Sequence, residues 1–172
     1  MVKTLFKKVL VPVDGSEQSM KALEYAGKIA KSAEGRVILL YVIDASKVGV
    51  SPEVADRFTI TYKEPIPVDD TIERYSFFYQ EKLKELKDED SYKIGEQILE
   101  EAKKKASKFI KDPDTIISLG PVAETIVTVA ENHKTDLIVI GSRGLSTFKR
   151  LLMGHVTCDV TEKAHCPVLV IR

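Results

Sequence analysis

The chain is constrained most by five short, almost wholly apolar runs, at 9–13, 37–43, 115–119, 136–140 and 168–171, with helix-periodic segments between them. Runs that are apolar on both faces and rich in β-branched residues read as strands covered on both sides, the habit of parallel sheets. Val9–Val13 runs into the turn-forming Asp14-Gly15-Ser16, after which apolar residues at 22, 26, 29, 30 and 33 keep to one helical face. Ser16 is placed as the N-cap of that helix and Gly35 as its stop. A strand, a helix and a second strand in sequence imply a right-handed crossover and parallel pairing. Two more amphipathic helices are expected, over 91–111 with apolar residues at 94, 98, 102, 106 and 109, and over 122–132 after Gly120-Pro121. The pattern specifies an α/β chain, with a doubly wound, five-stranded parallel sheet and helices on both faces.

At 172 residues the chain reads as one domain, 1–172, interrupted by a variable insertion at about 44–90. The insertion carries Pro52, Pro65 and Pro67, aromatic residues at 75, 77, 78 and 79, and then a mixed-charge run in which a helix begins over 81–87. Its aromatic cluster fits either a partner surface or ordinary packing. Lys plus Arg number 26 and so do Asp plus Glu, so there is no global field to draw in nucleic acid or an anionic membrane. No run approaches the roughly 18 apolar residues of a membrane span, and the basic start runs straight into a strand; a cytoplasmic location is the expectation. Cys158 and Cys166 form no Cys-x-x-Cys pair and no Cys/His quartet, so they read as free thiols.

Chemistry concentrates at two strand ends. In doubly wound sheets ligands collect outside the carboxyl ends of strands where the strand order reverses. Asp14-Gly15-Ser16 ends the first strand and Gly141-Ser142-Arg143-Gly144 the fourth; if these strands are neighbours, both turns border one crevice. After Gly144 come nine residues, then Gly154-His155-Val156-Thr157 and a helix. Glycines admit a phosphate to the backbone, and helix N-termini supply unpaired N–H groups with a favourable dipole. The spacing is neither G-x-x-x-x-G-K-[ST] nor G-x-G-x-x-G, which removes the main support for a P-loop or a dinucleotide site.

In these residues the chain resembles the universal stress proteins, particularly their ATP-binding branch, whose signature is G-x2-G-x9-G-[ST]. Gly141, Gly144 and Gly154 match it, and the likeness extends to Val9–Ser16, Val37–Asp44, Gly120-Pro121 and Cys166–Ile171. The resemblance implies a Rossmann-like adenine-nucleotide-binding fold of strand order 3-2-1-4-5. It implies that Asp14 bonds ribose hydroxyls, that Pro12, Val13 and Val42 line the adenine site, and that Ile140 flanks base or ribose. Gly141, Gly144, Gly154, Val156 and the Thr157 hydroxyl would surround the phosphates, with Arg143 free to pair with one. ATP is the implied ligand, or ADP or AMP, with Mg²⁺ or Mn²⁺ held through the phosphates. A homodimer through Pro167–Arg172 and a further, unidentified protein partner are implied as well.

Position 155 departs from the signature, carrying His where Ser or Thr is usual. An imidazole there donates from one nitrogen when neutral and from both when protonated, and its bulk would favour fewer phosphates. With no evident catalytic base or nucleophile, the expected function is a nucleotide-dependent switch in stress response. A slow metal-dependent ATPase and an interaction module without nucleotide binding are the alternatives.

Overall fold

The computed structural model describes residues 6–50, 79–85, 89–145 and 153–172. Strands β1 (Lys8–Pro12), β2 (Arg36–Asp44), β3 (Asp114–Gly120), β4 (Leu137–Gly141) and β5 (Val168–Ile171) lie in one parallel sheet of order β3-β2-β1-β4-β5. This is the expected order. The chain steps from β1 to β2 and β3 on one side and returns to β4 and β5 on the other. The order therefore reverses between β1 and β4, where their carboxyl ends splay apart.

Both faces of the sheet are buried, which is why its strands are apolar throughout. Val9, Val11, Val37, Leu39 and Val139 pack against α1 (Glu17–Ser32) and α2 (Asp90–Ala106). Leu10, Ile38, Leu40, Ile138 and Ile140 pack against α3 (Val122–Asn132) and α4 (His155–Lys163). Each such side chain contributes about 1.5–3 kcal/mol by leaving water, so a polar residue on either face of β1 or β2 is costly. Ala22, Ala26 and Ala30 let α1 sit close to the sheet.

The turn after β1 is fixed by its own side chains. Ser16 N–H donates to Asp14 Oδ1 at 3.0 Å, Gly15 takes a left-handed φ of 84°, and Ser19 N–H donates to the Ser16 hydroxyl at 3.2 Å, capping α1. Helix α1 ends as expected near residue 33, but not by the expected device. The left-handed residue is Glu34, at φ 49°, and Gly35 N–H closes the motif on Ala30 O at 2.8 Å. Gly35 is small for another reason: a Cβ there would stand 2.6 Å from the Lys7 carbonyl oxygen. Helix α3 ends the same way, with Lys134 at φ 51° and Thr135 N–H bonded to Ala130 O at 2.9 Å.

Helix α2 stops at Ala106, short of the expected 111, and buries Gly95, Leu99, Ala102 and Ala106. Ile94, placed by periodicity on the core face, is 48% exposed. Within the insertion, 45–48 form a 3₁₀ turn and 79–85 are helical, with Tyr79 buried beside Ile43, Val50 and Leu119. Residues 51–78 and 86–88, and with them aromatic positions 75, 77 and 78, lie outside the described residues. Cys158 is exposed, Cys166 half-buried, and both are free thiols.

Candidate functional site

The strand ends frame a cavity of about 670 Å³, a size typical of small-molecule sites. All twelve residues singled out in the sequence line it: Pro12, Val13, Asp14, Val42, Ile140, Gly141, Arg143, Gly144, Gly154, His155, Val156 and Thr157. Among the described residues, three of the four exposed large hydrophobics, Ile94, Leu145 and Val156, also line this cavity.

One end of the cavity is built to receive negative charge. Gly154 is the N-cap of α4 and has no side chain to spend on the helix; its own N–H donates to Ser142 O at 2.8 Å. The first helical hydrogen bond runs from Cys158 N–H to Gly154 O at 3.0 Å. The N–H groups of His155, Val156 and Thr157 are thus left at the positive end of the helix dipole, beside the lining residues Gly141, Arg143 and Gly144. The buried Arg143 Nε has no acceptor among the described residues, nor has the Ser142 hydroxyl a partner.

The Thr157 hydroxyl departs from expectation. It is 3% exposed and donates its one proton to Gly141 O at 2.8 Å, so it cannot also donate to a phosphate. Its contribution to the anion end is the backbone N–H. Gly141 is likewise shaped by packing: a Cβ there would come within 2.9 Å of Gln18 C and 3.0 Å of Ser19 N in the first turn of α1. Together Gly141 and Thr157 lock β4, α1 and α4 at the crevice.

Asp14 faces this frame from β1. Its Oδ1 holds the turn through Ser16 N–H, and its Oδ2 accepts from Leu145 N–H at 3.1 Å. Gly144 makes that approach possible, since a Cβ at 144 would sit 2.6 Å from Asp14 Oδ2. Each carboxylate oxygen keeps one lone pair for a ligand.

The opposite end of the cavity presents backbone edges. Strand β1 pairs with β2 only as far as Pro12–Leu40, and Val13 N–H reaches Leu40 O at 2.8 Å. In a parallel ladder alternate residues face the same neighbour, so Val42 directs its N–H and C=O to the side Leu40 faces. There β1 has already turned away. Val42 thus offers one donor and one acceptor side by side, flanked by Ile140 and Val13.

Further lining residues escaped the sequence reading. Tyr41, Asp44, Lys47 and Val48 come from β2 and the turn after it, Ser91 and Ile94 from the first turns of α2. Position relative to the end of β2 was an available signal for the first four; for α2 none was, because it follows the insertion. Burial, aided by the negative charge of Asp14, raises the pKa of Tyr41.

Comparison with known proteins adds the family. A model of the universal stress protein family matches residues 5–172. The chain belongs to that family. Among its relatives, universal stress protein MJ0531 of Methanocaldococcus jannaschii is 34% identical over 170 residues, covering 99% of this chain and 84% of that protein. The solved UspA of Lactobacillus plantarum superposes with a TM-score of 0.68 at 27% identity, over 97% of this chain and 98% of that one. A universal stress protein solved in complex with cAMP superposes with a TM-score of 0.64 over 98% of both chains; at 24% identity it is a likeness of fold. Among the described residues no helix is long and apolar enough to cross a membrane.

Proposed function

We propose that this universal stress protein binds an adenine nucleotide, with ATP as the first candidate, and acts as a regulatory switch rather than as a catalyst. The observation that carries the reading is the anion end of the cavity, where a side-chain-free cap leaves three α4 N–H groups beside the unpartnered Arg143 Nε. Adenine fits the other end: the Val42 N–H and C=O complement an acceptor beside an amino donor, as adenine N1 and N6 present them. Guanine presents the reverse order. Asp14, between the two ends, stands where ribose hydroxyls would lie.

Among the described residues no three His, Cys, Asp or Glu side chains converge, so a Mg²⁺ or Mn²⁺ ion here would draw most of its ligands from phosphate oxygens and water. Such an ion would neutralise phosphate charge. The switch itself rests on Asp14. A sugar hydroxyl that takes the lone pair Asp14 keeps free joins the ligand to the same carboxylate that holds Leu145 N–H, so occupancy stabilises that contact, and a partner protein reads the change.

The test is to denature protein purified without added nucleotide, identify what is released, and incubate intact protein with ATP and Mg²⁺. Bound ATP that survives for hours supports the switch. Multiple turnovers abolished by Asp14→Ala would replace it with a slow ATPase. Absence of both bound nucleotide and measurable affinity would leave an interaction module.

A further inference from the structure

Tyr41 lies outside every motif that marks the cavity, yet it lines it together with Asp14. Its position is dictated by alternation along β2: Val37, Leu39 and Tyr41 point to the α1 and α2 face, and Tyr41 comes last, beyond the end of β1. The ring is held against α2 at Gly95, where a Cβ would stand only 2.6 Å from Tyr41 Cδ1. The glycine gives the ring its place. The phenol is only half-buried, and its hydroxyl has no hydrogen-bond partner among the described residues.

Asp14 is close enough for its charge to bear on the phenol, yet the two groups do not bond to each other. A phenol donates one proton; an ionised carboxylate only accepts. A group placed between them must accept on one side and donate on the other. A ribose hydroxyl does both, whereas a deoxyribose carbon does neither. We propose that Tyr41 is a specificity-determining residue that, with Asp14, selects nucleotides carrying a free 2′,3′-diol. The phenol donates to a sugar hydroxyl whose own proton goes to the Asp14 carboxylate. This rests on the adenine-nucleotide reading and adds to it the sugar that the site requires.

Calorimetric titration of the wild type and Tyr41→Phe with ATP and with 2′,3′-dideoxyATP tests the assignment, alongside thermal melts of both proteins. The variant keeps the ring on Gly95, so its melting temperature should stay at the wild-type value. Loss of one neutral hydrogen bond should weaken ATP binding about 2- to 12-fold, while dideoxyATP affinity changes by less than about twofold. Equal losses for the two ligands, or no loss for ATP, would overturn the role of Tyr41 and leave nucleotide binding standing. A wild type that binds neither ligand would overturn the nucleotide reading and this inference with it.

Discussion

Two signature glycines three residues apart should respond oppositely to the same substitution. In Gly141→Ala the new methyl meets main chain, at 2.9 Å from Gln18 C and 3.0 Å from Ser19 N, at a buried position. Neither atom can move without shifting α1, whose cap and alanine face are both engaged. Overpacking of this kind costs about 1–3 kcal/mol, offset by up to about 1 kcal/mol from a stiffer unfolded chain. With the full offset the net cost is up to about 2 kcal/mol, a fall in melting temperature of up to about 8 °C. In Gly144→Ala the methyl meets, among the described residues, only the Asp14 carboxylate, 2.6 Å from Oδ2, which is the end of a side chain and not main chain. Gly144 is not among the glycines of positive φ, so alanine adds no backbone strain. The Asp14–Leu145 hydrogen bond is lost, but it is solvent-exposed and water replaces it, so the cost is about 0.5–1.5 kcal/mol; the alanine substitution returns much of that, and melting should move by less than about 3 °C. Asp14, however, no longer points where a sugar hydroxyl would need it. A hydrogen bond to a charged group is worth about 1.5–3 kcal/mol, so ATP affinity should fall about 10- to 150-fold. Thermal melts and calorimetry on both variants decide the matter. If Gly144→Ala melts as low as Gly141→Ala while holding ATP at wild-type affinity, the division between frame and ligand contact is wrong.

Thr157→Val keeps shape but removes the donor to Gly141 O, leaving a buried carbonyl unpaired at about 1–3 kcal/mol. Melting should drop while ATP affinity stays within about twofold; an unchanged melt with weakened binding would return the hydroxyl to the phosphates. At the sheet's outer edge, Val168, Leu169 and Val170 of β5 are half-buried and, among the described residues, have no strand on one side; we propose that a second copy pairs there antiparallel. Sedimentation at micromolar concentration should find a dimer, and a monomer would refute that pairing.

The fold was legible because sheet strands covered on both faces need apolar side chains at every position, and such runs are hard to mistake. Val9 to Val11 illustrates it, with alternate residues serving opposite cores. The ends of α1 and α3 fall where the sequence put them, but the device that ends them was not legible. Glu34 and Lys134 adopt left-handed φ because the returning chain closes a hydrogen bond on the helix, and nothing in a glutamate or lysine announces that. Gly35 looked like the stop but is there for the Lys7 backbone. Tyr41 and Ile94 were missed for a related reason: what a cavity wall exposes depends on where α2 crosses the sheet, and the insertion hides that from any local pattern.

The signature itself divides once its members are placed. Gly144 and Gly154 shape the cavity, one admitting the Asp14 carboxylate and the other leaving helix N–H groups bare. Gly141 and Thr157 are joined by a hydrogen bond, and Gly141 packs closely on α1. Their spacing bears on the cavity only indirectly, by fixing two walls at the separation the other pair requires. A chain could therefore keep Gly141 and Thr157 for stability after losing its ligand. The bare cap at Gly154 and the Arg143 Nε are the groups left without partners among the described residues, and so carry the weight of the nucleotide reading.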